Sequence, residues 1–156
     1  MISVTRKLEV NPNDSSEPVH LNRQQVWEGL VRKAENAVPF VAAITRCSIV
    51  EQHPDRLIRE IVLHGETMRE LILFFPEERV EFVRLSGKAK GQIKNILEED
   101  STGRLYLRFT FDLVLDGVES GSVEEVEFAD GMEVAYLDAV NTTLRRIREE
   151  AVAKAS

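Results

Sequence analysis

Cys47 is the only cysteine in the chain. An intrachain disulfide is therefore excluded, and so is a multi-cysteine metal site. A lone cysteine in a strand-like segment is expected to be a small buried hydrophobe, in a reducing compartment. Histidine is nearly as scarce. His20, His53 and His64 stand far apart, and the last two sit beside turn residues. They read as surface histidines, so no metal and no cofactor is expected. The chain has no HExxH, no GxSxG and no glycine-rich phosphate loop. Spacing alone thus assembles no nucleophile, base and orienting group. No apolar run approaches ~18 residues, and the start shows no charged-then-apolar signal. A cytoplasmic protein that does not span a membrane is expected. Positive charge is also short: 20 Lys and Arg stand against 27 Asp and Glu, for a net charge of −7. Nucleic acid is thereby disfavoured as a partner, because phosphate binding needs a basic face. Arg145, Arg146 and Arg148 do cluster, but Glu149 and Glu150 follow at once. That cluster reads as the solvated end of a helix.

What remains is an ordinary globular composition, 43% hydrophobic and 30% charged. The length suits a single domain over residues 1–156 with a core of its own. "ISVTRKLEV" alternates apolar and polar residues, as a half-buried strand does. "NPNDSSEP", residues 11–18, is loop chemistry. Asn22 is placed to cap a helix whose apolar face carries Val26, Leu30 and Ala34, flanked by Trp27 and Val31. Trp27 is expected to be structural and mostly buried. Pro39 ends this helix, and Phe40 to Ile44 form one further helical turn. Six strand-like segments then follow at intervals of roughly ten residues, which points to an antiparallel meander. Their connections carry Gly, Pro, Asp or Ser. In the last segment Leu105, Leu107, Phe109, Phe111 and Leu113 share a face. "SVEE" at Ser122 is a capping-box signature. It opens a long helix, starting between Ser122 and Met132, with Gly131 as a point of delay or kinking. Met132, Tyr136, Val140, Leu144, Ile147 and Ala151 make its apolar stripe, with Ala135, Ala139 and Thr143 alongside.

The resulting order is strand, helix, short helix, six strands, long helix. It resembles the START and birch-pollen-allergen superfamily, the SRPBCC group with the helix-grip fold. "RQQVWEGLVRKAENAVPFV" further resembles the first-helix region of a bacterial allergen-like branch, where a Val-Trp pair and a following Pro-Phe recur. The resemblance covers nearly the whole chain. It implies an α+β fold: a curved seven-stranded antiparallel sheet, two short helices after the first strand, and a long C-terminal helix over the concave face. It also implies a large cavity between sheet and helix. One departure stands out. The plant allergens carry a glycine-rich loop between early strands, whereas "EQHPD" has no glycine, so nothing ascribed to that loop carries over.

Such a cavity needs apolar rows and a few orienting polar groups. The candidate wall is Leu107, Phe109, Phe111, Met132, Ala135, Tyr136, Ala139, Val140 and Thr143. The small residues on the helix leave room beneath it, and Tyr136 supplies a polar tip. Arg59, Glu60, Arg69, Glu70 and Arg84 interrupt otherwise apolar strands. In a hairpin turning near Gly65, Arg59 and Glu70 fall opposite each other and are expected to pair across the exposed face. The expected partner is a hydrophobic small molecule of lipid, sterol or aromatic polyketide type. Two rivals share the fold: a polyketide cyclase or dehydratase, with Glu70 or Tyr136 moving a proton, and a co-chaperone-like interaction module working through its sheet.

Overall fold

A computed structural model describes residues 1–12 and 20–155, without side chains for 154 and 155. The described elements are β1 (Ile2–Glu9), α1 (Arg23–Glu35), β2 (Ile44–Gln52), β3 (Arg56–Leu63), β4 (Glu66–Phe75), β5 (Arg79–Arg84), β6 (Ala89–Glu99), β7 (Leu105–Leu115) and α2 (Val123–Ala155). The strands form one sheet in the order β1-β7-β6-β5-β4-β3-β2, with every pair antiparallel. This is the curved open sheet and long closing helix of the helix-grip fold.

The sheet order explains the early helix. β1 and β2 occupy opposite edges, six inter-strand steps apart, or roughly 29 Å at the usual spacing. A 13-residue helix covers about 20 Å of that path. Asn22 caps it as expected: its Oδ1 accepts from the Gln25 N–H, and the Gln25 side chain accepts from the Asn22 N–H, both at 2.8 Å. The further helical turn expected over Phe40 to Ile44 does not form. Residues 38–43 make turns instead, with Phe40 and Val41 N–H both donating to the Ala37 carbonyl. The expected loop over residues 11–18 lies almost wholly outside the described residues.

β3 and β4 turn through His64 and Gly65, both with positive φ (50° and 78°), the geometry a two-residue hairpin needs. On β6, a Cβ added at Gly91 would lie 2.1 Å from the Asp112 carbonyl oxygen of β7. α2 begins at the expected cap: Ser122 Oγ accepts from the Glu125 N–H at 3.2 Å. It then runs 33 residues without a break at Gly131.

The core is not evenly filled. Under the C-terminal half of α2, Leu107, Phe109, Phe111 and Leu113 are fully buried with Val140, Leu144 and Ile147. α1 and α2 meet so tightly there that a Cβ on Gly29 would fall 2.3 Å from Ile147. Arg148, expected in solvent, is buried and donates to the Val10 carbonyl just beyond β1. It holds an edge-strand carbonyl that has left the ladder. Arg145 and Arg146 do stay at the surface, near Glu149.

Candidate functional site

β3, β4 and β5 present alternate side chains to the concave face. Three charged residues fall in phase with the apolar ones: Arg59 between Leu57 and Ile61, Glu70 between Met68 and Ile72, and Arg84 after Val80 and Phe82. Strand register places them in one row, with Arg59 opposite Glu70 and Glu70 opposite Arg84. Arg59 grips Glu70 Oε1 through Nε and Nη2 at 3.0 and 2.8 Å. Its Nη1 donates to the carbonyls of Lys33 and Ala34, at 3.0 and 2.9 Å. Those are carbonyls of the last turn of α1, which need partners from outside the helix. Arg84 Nε lies 3.5 Å from Glu70 Oε2. Lys33, from the same turn of α1, donates to Asn95 Oδ1 on β6 at 3.1 Å. Phe82 lies beneath the Lys33 and Arg59 cations, with its ring centre 5.9 and 5.4 Å away.

Above this row the space is open. A cavity of about 410 Å³ lies between β3–β5, the last turn of α1 and the N-terminal half of α2. That volume is in the range of small-molecule sites. Its apolar walls include Ile44, Ile61, Leu63, Phe82, Phe128 and Met132, and its polar floor holds Lys33, Arg59, Glu70 and Arg84. Gly131, Ala135 and Ala139 face it from α2, and their small size makes the room. Exposed His64, Gly131 and Ala135 mark its opening.

The floor carries three basic side chains against one acid, inside a chain of net charge −7. Burial, followed by the neighbouring Arg59, pulls the Lys33 ammonium down to a pKa of about 8, with Glu70 opposing. Burial pushes the Tyr136 phenol up to about 12; Arg84 and Arg59 draw it down and Glu70 raises it. Tyr136 therefore keeps its proton at neutral pH. Arg84 is 9% exposed, and among the described residues its guanidinium has the Glu70 ion pair and no hydrogen bond.

A family model described as AtaL, acetylaranotin biosynthesis cluster protein L, matches residues 2–154. The chain belongs to the AtaL family. No curated protein sequence matches it. Among solved structures, the chain is similar to the di-domain aromatase/cyclase StfQ of the steffimycin pathway, with a TM-score of 0.73 at 9% identity. That match covers 96% of this chain and 52% of StfQ, so the chain spans about half of that protein. The Zhui aromatase/cyclase from Streptomyces sp. R1128 matches with a TM-score of 0.65 at 16% identity, covering 99% of this chain and 95% of that one. A START superfamily protein from Mycobacterium smegmatis matches with 0.64 at 13% identity, covering 96% and 99%. At these identities the likeness establishes the helix-grip fold, which agrees with the START-like resemblance of the sequence.

In this AtaL-family chain, Met132, Ala135, Tyr136 and Ala139 of the expected wall line the cavity. Leu107, Phe109, Phe111, Val140 and Thr143 lie instead in the closed core beside it. The reason is Tyr136. Its ring packs on Phe109 and Phe111, at 5.4 and 5.2 Å between centroids, and screens β7 from the hollow. Thr143 turns its hydroxyl back onto the Ala139 carbonyl at 2.7 Å and is fully buried.

The Arg59–Glu70 pair forms in the expected register, but it is buried and not on the exposed face where the sequence reading put it: both side chains are under 5% accessible. The α1 carbonyls draw Arg59 inward. The exposed pair is Arg69–Glu60, at 3.2 Å on the opposite face. The sequence pattern does not point to Lys33, Phe82 or Asn95 as site residues. The alternation was a usable signal for Arg59, Glu70 and Arg84, since each is in phase with buried apolar neighbours. No such signal marks Lys33, which depends on where α1 crosses the sheet. Trp27 is half-buried, edge-on to Phe74 at 6.4 Å, and is not part of the cavity lining. Cys47 is half-buried on edge strand β2, because that strand is covered on neither face along most of its length. Among the described residues there is no group of three or more metal-ligating side chains, and no helix long and apolar enough to cross a membrane.

Proposed function

We propose that residues 1–156 act as one cytoplasmic domain that binds a hydrophobic small molecule, of lipid, sterol or aromatic polyketide type, in this cavity. The ligand's apolar body lies along Ile61, Phe82, Phe128 and Met132. An oxygen-bearing end, such as a carboxylate, enolate or carbonyl, meets Arg84. The observation that carries this reading is Arg84 itself. Arg84 lines the cavity, has Glu70 as its counter-ion and makes no side-chain hydrogen bond among the described residues, so its donors are free to meet a ligand's oxygen. The small face of α2 supplies the space.

The test compares two probes of similar shape, anilinonaphthalene sulfonate and uncharged phenylnaphthylamine, by fluorescence titration. Both bind if the cavity takes apolar bodies. Arg84→Leu should weaken the sulfonate at least tenfold and leave the neutral probe little changed. No binding of either probe, with nothing retained in native mass spectra of the purified protein, would overturn the reading.

A second reading, catalysis of the polyketide cyclase or dehydratase kind, is favoured by one feature. Tyr136 presents a protonated phenol to the cavity with no hydrogen-bond partner among the described residues. Such a group can donate a proton to a developing enolate. Glu70 is poorly placed as a base, because both of its oxygens are engaged by arginines.

A further inference from the structure

We infer that Lys33 is an imine-forming amine, whose Nζ condenses with an aldehyde or ketone carbonyl of a ligand held in the cavity. The inference rests on the ligand-binding reading above and adds a covalent step to it. Lys33 is 5% exposed and lines the cavity. Its ammonium form would have three protons to place, yet among the described residues Asn95 Oδ1 is its one hydrogen-bond acceptor. The other acceptors nearby are already held. Arg59 takes Glu70 Oε1 and the carbonyls of Lys33 and Ala34, and Arg84 stands against Glu70 Oε2.

The groups facing this amine come from every element around it. Asn95 on β6, Phe82 on β5, Arg59 on β3 and Glu70 on β4 act on it directly, and Arg84 on β5 and Tyr136 on α2 line the same cavity. Two are permanent cations and one is an anion shared between them. A neutral amine fits this setting better than an ammonium: one N–H goes to Asn95, and the lone pair stays free. Burial and Arg59 bring the pKa to about 8, so at pH 8 about half of the molecules carry the free base. That is roughly a hundredfold more than for an exposed lysine. Desolvated lysines of this kind are the ones that attack carbonyls.

The step balances without any oxidant or reductant. The Nζ lone pair forms the C–N bond as the C=O π bond breaks, and one Nζ proton passes to the oxygen, giving a carbinolamine. The C–O bond then breaks, the second Nζ proton leaves with the hydroxyl as water, and C=N remains. Water leaves through the mouth beside His64 and Ala135.

The experiment uses the intact protein, naphthaldehyde as the carbonyl probe and cyanoborohydride to trap the imine at pH 8. Methylnaphthalene serves as a carbonyl-free mimic, its binding read by thermal shift. The expected result is one naphthylmethyl adduct per chain, mapped by peptide mass spectrometry to Lys33. It should form at least tenfold faster than at any other lysine. Excess methylnaphthalene should slow it, and the rate should climb through pH 8. Lys33→Arg should abolish the adduct. If that variant does not fold, the peptide map of the unaltered protein decides. Methylnaphthalene binding with no adduct at Lys33, or with adducts spread evenly over exposed lysines, overturns the imine and leaves the cavity reading intact. If the mimic does not bind and nothing is trapped, both readings fall.

Discussion

The two halves of the space beneath α2 are covered by one continuous helix, yet one is filled and the other hollow. On the β7 side, the sheet offers Leu107, Phe109, Phe111 and Leu113, and the helix answers with Val140, Leu144 and Ile147. On the β3–β5 side, the sheet offers Arg59, Glu70 and Arg84 beside apolar neighbours, and the helix answers with Gly131, Ala135 and Ala139. Large against large closes a core. Charged against small leaves an open space with a polar floor. Tyr136 is the wall between the halves, with its ring packed on β7 and its hydroxyl on the hollow side. A closed core and an open cavity thus occupy different stretches of the same two layers.

Four changes test that division. The largest effects on stability should come from breaking each half at its centre. Glu70→Ala leaves Arg59 and Arg84 buried without their anion, and should cost about 3–5 kcal/mol in denaturant unfolding. Phe109→Ala, fully buried in the filled half, should cost about 3–5 kcal/mol through the cavity it opens. It should leave probe binding largely intact where the protein remains folded. Comparable losses of stability with opposite effects on binding would sharpen the contrast, and equal losses of binding would erase it.

The third effect is a pH dependence. The Lys33 pKa is about 8 in the folded protein against 10.5 in its ordinary state. Between these values the unfolded chain holds a proton that the folded protein lacks, so stability rises with pH. From pH 8 to 10 the gain from this group should be about 2 kcal/mol. It appears as the difference between the unaltered protein and Lys33→Met measured at each pH. Above pH 10 Tyr136 works the other way, because its folded pKa is raised to about 12, and it binds its proton more tightly when folded. A flat difference between pH 8 and 10 would show that Lys33 is not desolvated, and the floor would lose its distinction from an ordinary surface.

The smallest effect on stability should come from Ala135→Leu. Ala135 faces the cavity rather than packed atoms, so unfolding free energy should move by no more than about 0.5 kcal/mol. Binding of phenylnaphthylamine should nevertheless fall tenfold or more as the space closes. Loss of stability in place of affinity would mean that the hollow half is packed after all.

The order and direction of the elements are legible in local stretches of the sequence. Alternation within the strand segments, the turn residues between them, Asn22 and Ser122 as caps, and the stripe from Met132 to Ala151 are local signals. Each acts through neighbours a few residues away, which is why they could be read without coordinates. The register that sets Arg59 opposite Glu70 belongs with them, since a two-residue hairpin fixes pairing. The tertiary structure alone decided which charged residues are buried and where the room lies. Arg59 turns inward because α1, crossing from one sheet edge toward the other, delivers two carbonyls to it. Lys33 reaches the floor for the same reason. Val140 and Thr143 close the core while Ala135 opens the cavity, because Tyr136 leans on Phe109 and Phe111. These outcomes depend on contacts between residues distant along the chain, and the energy of burying a charge is set by all of its neighbours at once.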